Sequence, residues 1–299
     1  MDVLVLMSCF NGEAYLVEQI ESILAQQGVS VRLLVRDDGS TDATAEILQD
    51  YQDKGFLEWY QGDNLKSAQS FMDLLQTASG AHYYAFADQD DVWYPHKLQA
   101  AVTCLSGCND QPTLYFSHKR VVDRELKPLG IEDEAVNGLE LGTSLLKCRV
   151  SGCTMVFNDA LLRQLQTYRP YRISMHDSWV LKVASAIGTV VEDKGLFMDY
   201  RQHERNVVGS RKSAFDVFKI RVRSLFSRSK DSIRTSMAQQ LMEGYGSKMS
   251  AYDQQYCQAF AEIRSSFKAR LRLVFSSYLK PHNRKETLAI KVLVLLGWM

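Results

Sequence analysis

Three carboxylates, Asp88, Asp90 and Asp91, fall within four residues, directly after the apolar run His82-Tyr83-Tyr84-Ala85-Phe86-Ala87. Carboxylates this crowded repel and raise one another's pKa unless a cation compensates them. A divalent ion carrying phosphate oxygens is one such cation. Hard Mg²⁺ or Mn²⁺ suits one or two carboxylates plus substrate phosphates. A solvated acidic turn that caps the following helix accounts for the same residues, so the surrounding elements have to decide.

Those elements alternate. Residues 3–9 are a continuous apolar run, and residues 13–27 place Leu16, Ile20, Ile23 and Leu24 on one helical face. Residues 31–35 read as a second strand that breaks into Asp37-Asp38-Gly39-Ser40-Thr41-Asp42, with Ser40 or Thr41 able to cap the next helix. Strands at 57–61 and 82–87 and a helix at 67–78 complete a βαβ pattern, which implies right-handed crossovers and a mostly parallel sheet. Further on, strands are expected at 113–117, 151–157, 189–192 and 196–202, and helices at 158–166 and 176–187. Residues 126–141 read as irregular. In a parallel α/β sheet, ligands bind outside the carboxyl ends of the strands. Ser8-Cys9-Phe10-Asn11, Asp37-Asp38 and Asp88-Gln89-Asp90 all fall at such ends and so converge on one edge.

On these motifs, with Gly12 and Asn64, the chain resembles the inverting glycosyltransferases of family 2 over about residues 1–209. The resemblance implies an α/β GT-A fold: Rossmann-like, a mostly parallel mixed sheet flanked by helices, here with a C-terminal helical extension. It implies that Ser8, Phe10, Asn11, Asp38, Asp88 and Gly152 contact the nucleotide-sugar, with Phe10 along the base and Asp38 accepting from its imide. Asp90 and His203 would hold Mg²⁺ or Mn²⁺. Asp177 would be the base that takes the acceptor hydroxyl proton. Asp91, Trp93 and His176 would border the acceptor, with capping of the next helix the other role open to Asp91. Glu204-Arg205 depart from the small or polar residues common beside the family's histidine. Taken without the resemblance, Asp177 reads as a helix cap, His203 as a structural or surface histidine and Gly152 as a strand bulge.

Within the family the motifs are most similar to those of bacterial rhamnosyltransferases. That implies dTDP-L-rhamnose as donor and a lipid-linked saccharide of cell-wall or capsular polysaccharide as acceptor, with UDP-hexose or UDP-N-acetylhexosamine as the alternative donor. A sugar-nucleotidyltransferase shares the nucleotide layout but normally has a glycine-rich basic loop after its first strand, and Asn11-Gly12-Glu13 is not one. A non-catalytic membrane-docking subunit would not need both Asp90 and Asp177.

Charge divides the 299 residues. Residues 1–209 hold 18 Lys and Arg against 29 Asp and Glu, a net of −11, whereas residues 210–299 hold 17 against 6, a net of +11. The division suggests a catalytic domain at 1–209 and a basic amphipathic region at 210–299 that docks on an anionic membrane surface, forms a homo-oligomer, or both. Its basic, aromatic-studded runs lie at 211–230 and 264–285, followed by an apolar stretch at 288–299. No nucleic-acid fold signature accompanies the charge, so no nucleic-acid partner is expected. The six cysteines include no Cys-x-x-Cys pair, which argues against a zinc site or a disulfide framework. The twelve residues of 288–299 fall short of the roughly 20 that span a bilayer. The expected location is the cytoplasm, at the inner face of the cell membrane.

Overall fold

The computed structural model describes residues 1–108, 110–132, 139–146, 150–203, 233–278 and 284–297. Its centre is a nine-stranded mixed sheet in the order β3-β2-β1-β4-β8-β6-β9-β5, with β7 paired to β6 alone. The strands are β1 (Asp2–Cys9), β2 (Ser30–Asp37), β3 (Glu58–Gln61), β4 (Tyr83–Ala87), β5 (Val92–Trp93), β6 (Thr113–Val122), β7 (Pro128–Glu132), β8 (Met155–Asn158) and β9 (Thr189–Arg201). β1 to β4 run parallel, β8 is antiparallel to both β4 and β6, and β9 is parallel to β6.

β1 shows why the sheet needs cover on both sides. Its side chains alternate, with Val3, Val5 and Met7 in one apolar cluster and Leu4 and Leu6 in the other. The first cluster is closed by α1 (Leu16–Leu24), α2 (Thr44–Asp53) and α4 (Lys97–Leu105) through Leu16, Leu48 and Leu98. The second is closed by α3 (Lys66–Thr77), α5 (Leu141–Leu146), α6 (Asp159–Gln166) and α7 (His176–Ile187) through Phe71, Leu145, Leu161 and Trp179. The same cluster continues into α8 (Ile233–Tyr245), α9 (Ala251–Ala261), α10 (Phe267–Val274) and α11 (Arg284–Leu296). Trp179 and Tyr245 hold ring centroids 6.2 Å apart at that junction. The run expected at 211–230 lies outside the described residues.

Several local expectations are corrected. Residues 151–157 are not one strand: Gly152–Thr154 is a tight 3₁₀ turn, and only Met155–Asn158 pairs. Thr154 explains the break, because both its N–H and its hydroxyl donate to Ser151 O, at 3.0 and 2.8 Å. The two strands expected at 189–192 and 196–202 are one long strand, β9, whose register against β6 shifts where Gly195 N–H donates to Asp193 Oδ1. Residues 128–132 form β7, turned back on β6 by Asp123, whose Oδ1 accepts from Glu125 and Lys127 N–H. Neither Ser40 nor Thr41 caps α2, which begins at Thr44. Ser40 Oγ instead donates to Asp37 and accepts from Asn11 N–H.

Candidate active site

The carboxyl ends of β1, β2 and β4 meet the turn before β8, the first turn of α7 and the end of β9. The loop after β1 is held to its neighbours by polar clasps. Gln89 accepts from Phe10 N–H at 2.7 Å and donates to Phe10 O at 3.1 Å. A Cβ on Gly12 would stand 2.6 Å from that amide, so a side chain there would displace the Gln89 clasp. Asn11, with φ +48°, accepts from Thr41 N–H at 2.9 Å, and Ser8 Oγ lies 2.6 Å from Ser70 Oγ. Phe10 keeps 46% of its surface exposed at the rim.

Asp38, expected to accept from the base imide, is largely engaged by the fold. It is 2% exposed, and its carboxylate accepts from Arg36, from Leu65 N–H at 3.0 Å and from Lys66 N–H at 2.9 Å. Of about four lone-pair positions, one remains. Asp38 anchors the loop at 62–66 as part of the pocket wall.

The acidic loop divides into an outward and an inward part. Asp90 Oδ2 lies 2.8 Å from His203 Nε2, and that ring stacks on Tyr15 at 5.1 Å. Asp88 is pushed up to about 7, first by burial, then by the charge of Asp90, with Lys119 opposing and Asp177 adding to the rise. Asp91 points inward. It is fully buried, Oδ1 accepts from Arg201 N–H at 3.2 Å, and Oδ2 has no partner. Burial, with the charges of Asp90 and Asp88, holds its carboxyl well above the usual range.

Behind Asp91 lie Cys153, whose buried thiol is pushed far up, and Lys97, pushed down to about 8 by burial. The Lys97 ammonium sits 4.3 Å over the Trp93 ring and has no hydrogen-bond partner. Asp91, Trp93 and His176, expected beside the acceptor, turn their side chains into the fold. Trp93 is 3% exposed and His176 is 3% exposed.

His176 is packed flat on Phe71 at 3.9 Å and edge-on to Phe86 at 4.9 Å, with neither ring nitrogen partnered. Burial pushes its pKa down to about 4, so the ring is neutral. Asp177, one residue on, faces the site. It is not a cap: the N-cap position is Met175. Its Oδ1 accepts from Ser178 N–H at 2.5 Å and its Oδ2 from Gly152 N–H at 3.3 Å. Gly152 is set against His176, whose Nε2 would lie 2.4 Å from a Cβ there.

Three more residues belong to the site. Lys119, 4% exposed, donates to Ser151 Oγ at 2.6 Å and lies 3.5 Å over the Tyr200 ring. Arg201 donates to Asp90 O at 2.9 Å, to Arg124 O at 2.5 Å and to Glu18, and lies over the Tyr15 ring at 4.6 Å. Gln89 is the clasp described above. Only Gln89 and Arg201 had a signal in the sequence, as neighbours of motif residues; Lys119 falls beyond the strand end expected at 117.

The residues present fit a divalent cation, and two groupings compete for it. Ligand atoms of Asp88, Asp91 and Cys153 lie within 4.8 Å of one another. That inner group has a protonated thiol and a buried ammonium beside it, both unfavourable to a hard cation. Asp90 and His203, 2.8 Å apart, with Asp88 near enough to feel the charge of Asp90, offer oxygen and imidazole donors that a divalent cation can use.

A curled mixed sheet with acid groups at its strand ends and a helical extension is the architecture of GT-A glycosyltransferases. Residues 4–119 match the family model "Glycosyl transferase family 2", a match that supports a family 2 glycosyltransferase. It is 25% identical over 228 residues to the dTDP-rhamnosyl transferase RfbG of Shigella flexneri, covering 68% of this chain and 74% of RfbG. Among solved structures, S. aureus TarS 1–349 superposes with a TM-score of 0.58 at 17% identity, over 100% of this chain and 81% of TarS. The TarS complex with UDP-GlcNAc gives 0.55. Mannosyltransferase PcManGT of Pyrobaculum calidifontis, in complex with GDP-Man and Mn²⁺, gives 0.53 at 16% identity, over 99% of this chain and 85% of PcManGT.

Proposed function

We propose that this chain transfers L-rhamnose from dTDP-L-rhamnose to a lipid-linked saccharide, with inversion at the anomeric carbon and with a divalent metal. The observation that carries the reading is the placing of Asp177. Gly152 N–H holds it at the mouth of the site, close enough to Asp88 for its charge to raise that carboxyl. A base on one side of the sugar and a diphosphate anchor on the other is the arrangement that a single displacement needs.

Phe10 offers its exposed face to the nucleobase, and Asn11 and Ser8 shape the floor beside it. Asp88 and Asp90, with His203, would hold the metal, which supplies charge neutralisation to the diphosphate leaving group. Asp177 takes the proton of the acceptor hydroxyl as its oxygen attacks the anomeric carbon. The Gly152 turn lets backbone approach the sugar closely. Arg201 ties Asp90, Asp91 and Glu18 into one frame, so the acidic loop keeps its shape when the diphosphate leaves.

The donor assignment rests on the likeness to RfbG. TarS with UDP-GlcNAc favours a second reading, a UDP-linked hexose or N-acetylhexosamine. A lipid-linked acceptor places the reaction at the inner face of the cell membrane, with the chain peripheral to it. A screen of nucleoside diphosphate release from dTDP-L-rhamnose and UDP-sugars, with Mg²⁺, with Mn²⁺ and with chelator, tests the proposal. Release from dTDP-L-rhamnose that chelator abolishes and acceptor stimulates is expected. Turnover only with UDP-sugars selects the second reading, and full turnover in chelator overturns the metal site.

A further inference from the structure

Far from the acidic loop in sequence, two neighbouring helices turn apolar stripes to solvent. On α10 and just past its end, Phe267, Leu271 and Phe275 recur every fourth residue and are 62, 38 and 82% exposed. On α11, Leu288, Val292 and Leu296 keep the same spacing, with Leu295 beside them, and Leu288, Val292, Leu295 and Leu296 are 65, 46, 37 and 46% exposed. The core uses other faces: Ala269, Leu273 and Val274 of α10 and Val294 of α11 are buried. Arg270 fastens the pair from the α10 side, donating to Ile263 O at 2.7 Å, Arg264 O at 2.9 Å and Leu295 O at 3.3 Å. Single exposed apolar side chains need no explanation, but seven on one helix pair do.

Charge accompanies the stripes. Lys268 and Arg272, both exposed, follow directly on Phe267 and Leu271, and Lys291 lies on α11 between Leu288 and Val292. At 100° per residue, Lys268 and Arg272 continue the exposed arc of α10 beyond Phe275. The α10 sequence Phe-Lys-Ala-Arg-Leu-Arg-Leu-Val contains no acid. No helix among the described residues is long and apolar enough to cross a membrane.

We infer that the exposed faces of α10 and α11 are a docking surface for an anionic lipid membrane. Phe267, Phe275, Leu271 and the α11 leucines enter the headgroup–acyl boundary, while Lys268, Arg272 and Lys291 meet the phosphates. Charge selects this occupant over a second copy of the chain. A two-fold dimer through the same patch brings the basic groups of both copies into one interface, to which α10 contributes no acid. The inference rests on the lipid-linked acceptor only for its purpose. Vesicle binding needs neither donor nor acceptor, so the two readings fail separately.

The test is flotation of the full-length protein with vesicles of phosphatidylcholine alone and of phosphatidylcholine mixed with phosphatidylglycerol. Binding to the anionic vesicles that weakens with salt is expected. Lys268→Gln with Arg272→Gln should weaken it about 25-fold, at roughly fivefold per basic group removed. Phe275→Ser with Leu288→Ser should weaken it while the salt dependence stays. All four positions are solvent-facing, and a circular dichroism melt shows whether each variant folds. Equal binding by wild type and both double variants overturns the inference. So does absence of flotation, and light scattering that finds a dimer broken by Phe275→Ser then assigns the face to a second copy.

Discussion

Asp90 Oδ2 and His203 Nε2 stand 2.8 Å apart although 113 residues separate them in the chain. β9 closes that distance: it runs beside β6 and ends at Arg201, whose guanidinium and N–H grip Asp90 O and Asp91. An acidic loop after one strand and a histidine after another thus form one donor group. Replacing His203 by Ala leaves the fold's clasp through Arg201 intact and removes an imidazole from the group. Affinity for nucleoside diphosphate with Mn²⁺, measured by calorimetry, should fall about 10–100-fold. Unchanged affinity would assign the histidine to the fold alone.

Asp177→Asn preserves an oxygen for Gly152 N–H and removes the proton acceptor. Turnover should fall about 10²–10⁴-fold, with nucleotide affinity close to wild type. Rapid-quench assays beside equilibrium binding separate the two quantities. A variant that turns over normally removes Asp177 from the chemistry.

Gly152→Ala pushes a methyl group against His176 Nε2 and, through it, against Phe71. The expected loss of stability is about 1–3 kcal/mol by urea unfolding. Adding His176→Ala should return part of that loss, since residues in contact are not additive. Additive losses would mean that the two positions are not coupled.

Burial lowers the pKa of His176 from 6.5 to about 4. The unfolded chain therefore binds more protons between those values, and stability falls as pH falls. The contribution is fully present above about 6.5 and is lost as pH drops through about 4, on the order of 3 kcal/mol at most. Asp88, raised to about 7, has the opposite sign: its contribution is present below 3.8 and lost as pH rises through 7. The difference between wild type and His176→Phe isolates the histidine. That difference should vary with pH only on the acid side, and a flat difference would contradict the buried neutral ring.

Asp88 also predicts a proton count. Near pH 6 its carboxyl is largely protonated, so a divalent cation must displace that proton to bind. Titrating Mg²⁺ or Mn²⁺ in weak buffer should release acid at about pH 6 and almost none at about pH 9. Asp88→Asn should abolish the release. Equal release by wild type and the variant would place the cation elsewhere.

Strands β1 to β4 were legible in the sequence because each is a short apolar run ended by Gly, Asn or Asp, and strand-end motifs follow from that reading directly. The turn at Gly152 was not, because Cys153-Thr154-Met155-Val156-Phe157 reads as strand until the Thr154 hydroxyl is seen to claim Ser151 O. That Asp91, Trp93 and His176 turn inward was not legible for a common reason: position beside a motif residue fixes distance along the chain but not the side to which a side chain turns. Lys119 and Lys97 gave no sign because a lysine in a sequence looks solvated. Their burial exists only once β6 and α4 are packed.

Trp179 of the helix that carries Asp177 shares its packing with Tyr168 and with Tyr245 of α8. The C-terminal helices thus share one apolar cluster with α7, and recombination at residue 209 should divide that cluster between the two parents. A graft that gives this chain another relative's C-terminal helices would reset the seat of the helix that carries Asp177. Chimeras meant to move the enzyme to a new surface should keep the Trp179–Tyr245 seam and exchange only the outward faces of α10 and α11.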